Sequence, residues 1–397
     1  MLGTAPWTFH SAGSLLFGRG AIEQLAAVVR RKNANRVFVV TDAVLKAVGI
    51  VERVVKPLAS DGLAVEVFDA VTPEPPVEVI RQAADAARLF QPDLLIGLGG
   101  GSNMDAAKLV AVVLAHGGDP TDYVGDCRVP GPVFPLVCIP TTAGTGSEVS
   151  AAAVFTDTAQ KMKVSTLSPH LRPAVAIVDP ALTDGCPAKV TADSGIDALT
   201  HAIEASTAVA MDEFHRRPPG GETVYQGRNA MSQLVAMECI MLCGRFLARA
   251  VTDGSDTEAR DHMAWAATLG GMAFSNAGVA LVHAMEYPVG GAVHVSHGAG
   301  NGLLLPYVME FNRREREDDI ETIGIWLAGK VGVDGVEAVQ RLKRQIGIPE
   351  RLRDIGVTRE MLPAFAERAF GIKRLMRTNP RVPVDAREIL AIYERAF

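Results

Sequence analysis

Four side chains in the second half of the chain have the types and spacing to hold a divalent metal. Asp197 and His201 are four residues apart in Asp197-Ala-Leu-Thr-His-Ala-Ile-Glu204, and His283 and His297 are fourteen apart in the run from Val282 to Gly298. Positions i and i+4 are neighbours on a helix, so a helical segment would carry Asp197 and His201 on one face. One carboxylate and three imidazoles are enough to bind a divalent transition metal and leave room for a substrate oxygen. Such an ion would make a bound alcohol more acidic and, in reverse, polarise a carbonyl. A lone buried histidine is usually structural; the group of four carries the reading.

The first half holds a second kind of chemistry. Leu98-Gly-Gly-Gly-Ser102 follows an apolar run and opens a helical pattern. Free N–H groups and the helix dipole make such a junction an anion site, and glycine lets a pyrophosphate come close. The dinucleotide fingerprint is met in part: Gly97-x-Gly99-x-x-Ser102 has serine at the third glycine. Asp42 ends an earlier strand pattern, where its carboxylate could accept from an adenosine ribose and would repel a 2′-phosphate, favouring NAD over NADP. The plainer role for Asp42 is to cap the next helix. Thr141, Thr142, Thr145 and Ser147 form another polar strand-end loop that could hold the nicotinamide half or its phosphates.

The elements that must position these groups follow from pattern. Arg36–Thr41, Ala64–Phe68, Asp93–Leu98, Val133–Ile139 and Val175–Val178 read as buried strands. They alternate with helices such as 103–115, which argues for a parallel sheet covered on both faces. From about Thr191 the pattern turns helical: 191–207, 233–250, 257–274, 320–328, 336–347 and 385–396, with a loop at His215–Gly221. The expected division is an α/β dinucleotide domain at 1–188 and an all-helical metal and substrate domain at 189–397.

Bulk composition narrows the partners. The 397 residues are 48% apolar with a net charge of −6, which suits two globular domains and makes nucleic acid an unexpected partner. Five scattered cysteines form neither a disulfide framework nor a Cys-x-x-Cys zinc spacing, and no signal peptide pattern opens the chain, so a cytoplasmic setting is expected. From His262 to Met309 the sole charged side chain is Glu286. A membrane span wants about 20 continuous apolar residues. The glycine pairs, Asn276, Pro288 and histidines here suggest the buried centre of a helical domain instead, with no membrane partner.

Taken together, Gly99-Gly-Gly-Ser-Asn-Met-Asp-Ala-Ala-Lys108, Pro140-Thr-Thr-Ala-Gly-Thr-Gly-Ser-Glu148, Asp197-Ala-Leu-Thr-His201 and His283…His297-Gly298 resemble the iron-containing (group III) alcohol dehydrogenases. The resemblance implies a Rossmann-like parallel α/β domain and an all-α domain, the dehydroquinate synthase-like architecture, with the site in the cleft between them. It implies Asp197, His201, His283 and His297 as metal ligands, and Gly99, Gly100, Gly101 and Ser102 around the pyrophosphate. Asp105 and Lys108 fit polar motif positions, Asp42 the acidic residue of NAD preference, Thr141, Thr142 and Thr145 the cofactor loop, and Lys163 a further cofactor-side position. Donor chemistry does not separate iron from zinc, and the ordinary affinity order favours zinc. The family label points to Fe2+, with Zn2+ substitution possible. A homodimer or higher homo-oligomer is the family-level expectation.

One departure stands out. Many members carry a histidine four residues after the first of the late pair; here that position is Tyr287. Tyr287 and His294 are therefore the candidates for the proton path, and Tyr287, with an ordinary pKa of about 10, is a poor base. The Tyr-Pro pair and Tyr225-Gln-Gly-Arg-Asn229 look more like the hydroxyacid-oxoacid transhydrogenase branch, which oxidises 4-hydroxybutyrate with 2-oxoglutarate. The leading expectation is an NAD-dependent alcohol dehydrogenase acting on a small alcohol, aldehyde or hydroxy acid. The transhydrogenase is second, and a dehydroquinate-synthase-type lyase or a non-catalytic NAD scaffold follow.

Overall fold

The computed structural model describes residues 6–160, 162–218 and 222–397; residues 219–221 of the expected 215–221 loop lie outside them. Among the described residues nine strands lie within the first 178 positions, most of them separated by helices. They are β1 (Leu15–Phe17), β2 (Arg36–Val40), β3 (Ala64–Phe68), β4 (Leu94–Gly99), β5 (Gly125–Asp126), β6 (Leu136–Pro140), β7 (Ala152–Asp157), β8 (Met162–Leu167) and β9 (Val175–Val178). Helices α1 (Leu25–Arg31), α2 (Ala43–Ala47), α3 (Ile50–Ser60), α4 (Val77–Phe90) and α5 (Gly101–His116) intervene.

Six strands form one sheet in the order β1-β9-β6-β4-β2-β3, every neighbouring pair parallel. Its strands are apolar on both faces because both faces are covered. Val37 and Val39 join Val28, Val54 and Leu58 of α1 and α3 on one side. Phe38 and Val40 join Ile80, Ala83 and Leu109 of α4 and α5 on the other. The alternation follows from the two-residue period of a strand. The chain crosses from β3 over β2 to β4, so the strand order reverses beside β2 and β4, the place where ligands settle in open α/β sheets.

Sequence reading missed a second sheet. β7 and β8 are an antiparallel hairpin, with β5 parallel to β8. Each strand is short and mixes polar with apolar residues, so no long β-branched run announces it. Lys163 lies on β8.

The remainder is helical: α6 (Ala188–Thr207), α7 (Met211–Phe214), α8 (Ala230–Leu242), α9 (Ala248–Thr252), α10 (Thr257–Ala277), α11 (Leu281–Val293), α12 (His297–Ala328), α13 (Gly335–Gln345), α14 (Leu362–Gly371), α15 (Lys373–Thr378) and α16 (Ala386–Ala396). The helix expected at 233–250 is interrupted by a π-helical turn at Cys243–Leu247. The one expected at 320–328 is the end of α12, whose helical geometry breaks at Arg316. Cys239 and Cys243 are core residues, whereas Met241 is exposed. α10 and α11 meet at 108°, and among the described residues no single helix is long and apolar enough to cross a membrane.

Lys108 joins the sheet to the hairpin. Its fully buried ammonium donates to Ser147 Oγ (2.9 Å), Ser150 O and Oγ (both 3.1 Å) and Ala152 O (2.8 Å). It is thus turned away from any ligand and pins α5 to the loop that follows β6. Lys108→Met leaves those acceptors dry and unpaired, a loss of about 3 kcal/mol. A thermal melt should show the midpoint fall by about 5 °C; an unchanged midpoint would refute the pinning role.

Candidate active site

The glycine junction forms as its residue types require. Gly99 has φ +140°, a backbone region closed to side chains, and Gly100 is the N-cap of the sixteen-residue α5. A Cβ on Gly101 would come within 2.8 Å of Thr145 Cγ2, so only glycine lets the β6 loop lie against the start of α5. Thr141 N–H bonds Gly99 O at 3.0 Å, and Thr142 stands over Gly100. The two strand-end loops therefore meet at a helix N-terminus, a cradle that suits a pyrophosphate.

Asp42 sits at the same edge and caps α2, accepting from Leu45 N at 2.9 Å. Its other oxygen accepts from Asn103 Nδ2 at 2.6 Å. Asn103, the residue after Ser102, was not singled out from sequence; it spans the crevice between β2 and β4. Asp105 accepts from Ser147 Oγ (2.6 Å) and Val154 N (2.9 Å), which ties α5 to β7. Burial raises the Asp105 pKa against the pull of Lys108 and its hydrogen bonds.

Across a cavity of about 160 Å³ stands the helical half. Gly101, Ser102, Asp105, Thr145 and Lys163 line it from the sheet side, and Asp197, His201, His283, Tyr287 and His297 from the helices. Asp197 and His201 occupy one face of α6, His283 the first turn of α11 and His297 the first position of α12. Donor atoms of Asp197, His283 and His297 all lie within 4.8 Å of one another. Asn301 Nδ2 reaches the same point, 2.8 Å from Asp197 Oδ1, 3.2 Å from His283 Nε2 and 3.1 Å from His297 Nε2. His201 stands beside these three, its Nε2 3.9 Å from Asp197 Oδ2 and its ring stacked on His283 and Phe274.

The protonation states match a cation site. Burial pushes the His201 pKa down to about 3, against the pull of Asp197, so this imidazole is neutral at neutral pH. Burial works to raise Asp197, but His201, His297, His283 and the Asn301 hydrogen bond together hold it below the usual carboxylate value. A carboxylate and converging imidazoles, held out of water, have the donor chemistry of a divalent transition-metal site.

Two carboxylates missed in the sequence aim the histidines. Glu204 Oε2 is 2.6 Å from His283 Nδ1, and the same carboxylate accepts from Ala280 N and Val282 N at the start of α11. Glu286 Oε2 is 2.5 Å from His297 Nδ1. Each bond occupies Nδ1 and turns Nε2 toward the cluster. The signals were present: Glu204 lies three residues after His201, and Glu286 is the isolated charge of the 262–309 stretch.

The proton-path candidates separate. Tyr287 lines the cavity, its ring centroid 6.1 Å from His297, and burial pushes its phenol still higher. His294 is corrected: it is exposed, absent from the cavity wall, and closes α11 in the left-handed conformation (φ +54°). The end of the helix turns it outward.

A parallel sheet with a glycine-rich nucleotide junction, facing a carboxylate–imidazole cluster across one cavity, defines a metal-dependent, dinucleotide-linked oxidoreductase. The chain belongs to the iron-containing alcohol dehydrogenase family: the model of that name matches residues 12–180, and the family's C-terminal model matches residues 224–397. It is 39% identical over 391 residues to long-chain-alcohol dehydrogenase 1 of Geobacillus thermodenitrificans, covering 96% of this chain and 94% of that protein. It is 36% identical over 390 residues to the NAD-dependent methanol dehydrogenase of Bacillus methanolicus, covering 96% and 97%. A crystal structure of 1,3-propanediol oxidoreductase superposes with a TM-score of 0.91 at 33% identity, covering 99% of this chain and all of that one. The protein is thus an alcohol–aldehyde oxidoreductase that uses iron and NAD, and the transhydrogenase alternative is not favoured.

Replacing Glu204 or Glu286 by glutamine should weaken divalent-metal binding by about 10–100-fold. Chelator competition with Zn2+ or Co2+ on metal-stripped protein reads this directly; full affinity in both variants would show that the carboxylates do not tune the ligands.

Proposed function

We propose that this enzyme oxidises small uncharged alcohols with NAD and reduces the corresponding aldehydes, and that Asp197, His201, His283 and His297 hold one Fe2+, for which Zn2+ can substitute. The carrying observation is the cavity wall. Ala152, Val154, Phe155, Phe274 and Val279 make it apolar, with Tyr225 and Tyr287 as its amphipathic members. Among the described residues lining it, Lys163 is the one ammonium or guanidinium, and Glu74 and Glu286 already pair with it at 2.6 and 3.5 Å. The relatives named for long-chain alcohols, methanol and 1,3-propanediol support a neutral substrate.

The residues have distinct tasks in this reading. When bound, the metal supplies Lewis acidity toward an alcohol or carbonyl oxygen, and NAD supplies the hydride acceptor. Gly99, Gly100, Gly101 and Ser102 bind the pyrophosphate at the start of α5, with Thr141, Thr142 and Thr145 bracing it. Asp42 faces the ribose from beside Asn103, and Asp105 and Lys163 border the nicotinamide side. The apolar wall orients the alcohol chain and excludes water. Tyr287 shapes the pocket, its high pKa leaving proton transfer to water or ribose hydroxyls.

We place the domain boundary near residue 188, where α6 begins. The enzyme is assigned to the cytoplasm, a setting consistent with five free cysteines, and to a homodimer or higher homo-oligomer.

The deciding assay follows NADH with the Fe2+-loaded protein over several alcohols and 4-hydroxybutyrate, with and without 2-oxoglutarate. NADH formed from neutral alcohols without an oxoacid, and lost on chelation, is the expected outcome. Conversion of 4-hydroxybutyrate only when 2-oxoglutarate is present would overturn it. Tyr287→Phe should keep turnover within about tenfold, since a general base contributes at least 10²-fold; abolished turnover with metal and cofactor still bound would make Tyr287 the base.

A further inference from the structure

Glu74 holds an unusual position in the cavity wall. It lies between Pro73 and Pro75 with φ +53°, a left-handed conformation that glycine or asparagine adopts more easily than glutamate. Its surroundings impose that conformation. The Glu74 N–H donates to Ser102 Oγ at 3.2 Å, its carbonyl accepts from Thr156 Oγ1 at 3.0 Å, and Thr156 N donates to Pro75 O at 2.9 Å. The loop is thus tied at once to the nucleotide junction and to β7, and backbone strain held this firmly tends to sit at functional positions.

The loop delivers a carboxylate to Lys163. Glu74 Oε1 is 2.6 Å from Lys163 Nζ, whose side chain is only 5% exposed. Glu286 supports the ammonium from the other side at 3.5 Å, but Glu286 is fully buried and its second oxygen is committed to His297. Gly290 makes room for that pair: a Cβ there would fall 2.7 Å from Lys163 Nζ. Of the two anions, only Glu74, with a side chain 32% exposed, can be displaced. Arg374 bonds Ser165 Oγ at 2.6 Å, lies 3.6 Å from Asp126, and does not line the cavity.

A substrate carrying a carboxylate would therefore meet an ammonium already over-neutralised, beside a like charge. We propose that Glu74 is a specificity-determining residue: by occupying Lys163 it denies that cation to acidic substrates and sets the preference for uncharged alcohols. This rests on the reading of the site as one for neutral alcohols, and it names the residue responsible.

The test compares 4-hydroxybutyrate with 1-butanol, which has the same carbon count and no charge, and with methyl 4-hydroxybutyrate, which masks the charge. In the metal-loaded, NAD-supplied wild type, kcat/KM should favour 1-butanol and the ester over the acid. Glu74→Asn, chosen because asparagine tolerates the left-handed backbone, should raise the acid-to-alcohol ratio at least about tenfold, chiefly through KM for the acid. At saturating NAD, with cofactor affinity measured separately because Lys163 borders the nicotinamide side, adding Lys163→Met should abolish that gain, which a loosened loop would not predict. A wild type that oxidises the acid as well as 1-butanol overturns both this proposal and the neutral-alcohol reading. A wild type with the preference, but a ratio that Glu74→Asn leaves within about twofold, overturns the role of Glu74 alone. If that variant does not fold, Glu74→Gln replaces it, and equal wild-type kcat/KM for acid and ester still refutes the proposal.

Discussion

The site depends on two carboxylate–imidazole bonds made by buried carboxylates. Glu204 on α6 holds His283 on α11, and Glu286 on α11 holds His297 at the start of α12. The three helices bring Asp197, His283 and His297 together from distant parts of the chain, and a converging donor set tolerates little error. Each carboxylate does more than aim a ring. Glu204 also takes the free N–H groups at the head of α11, a favourable place for a negative charge at a helix N-terminus. The bond that orients His283 is therefore also one that holds α11 in place, so donor geometry and helix packing are linked through the same side chain.

Charge balance extends this network to the other half of the molecule. Glu286 reaches Lys163 on β8, and Lys163 reaches Glu74 on the loop before α4. The ammonium's pKa is raised even though burial pulls it down, because Glu286 and Glu74 both favour the charged form. Burying these groups singly would be costly; together they cross the cavity wall as a compensated chain. This network connects the metal side to the sheet side and engages the one ammonium among the described cavity-lining residues.

The nucleotide edge is assembled differently, from backbone and small residues. Gly101 must lack a side chain for Thr145 to lie over the start of α5, and Lys108 and Asp105 pull the β6 loop and β7 onto that helix. The polar residues of the motif after the glycine junction thus divide into Ser102 and Asp105, which line the cavity, and Lys108, which is spent on holding the cradle's shape.

Residue pattern alone determined the parallel sheet, the helical second half, the glycine junction and the candidate quartet Asp197, His201, His283 and His297, because periodicity and local motifs are encoded over a few neighbouring residues; that the donor atoms of Asp197, His283 and His297 converge, with His201 beside them, was decided by packing. The pattern also located Tyr287 near His283, since four helical positions separate the two. Tertiary structure decided what depends on contacts between distant segments. His294 is turned outward by the end of α11, Asp42 shares its carboxylate between a helix cap and Asn103, and the hairpin of β7 and β8 brings Lys163 to Glu74 and Glu286. Those pairings join residues tens to hundreds of positions apart, so their partners are chosen by packing and by the need to neutralise buried charge, which no local spacing records.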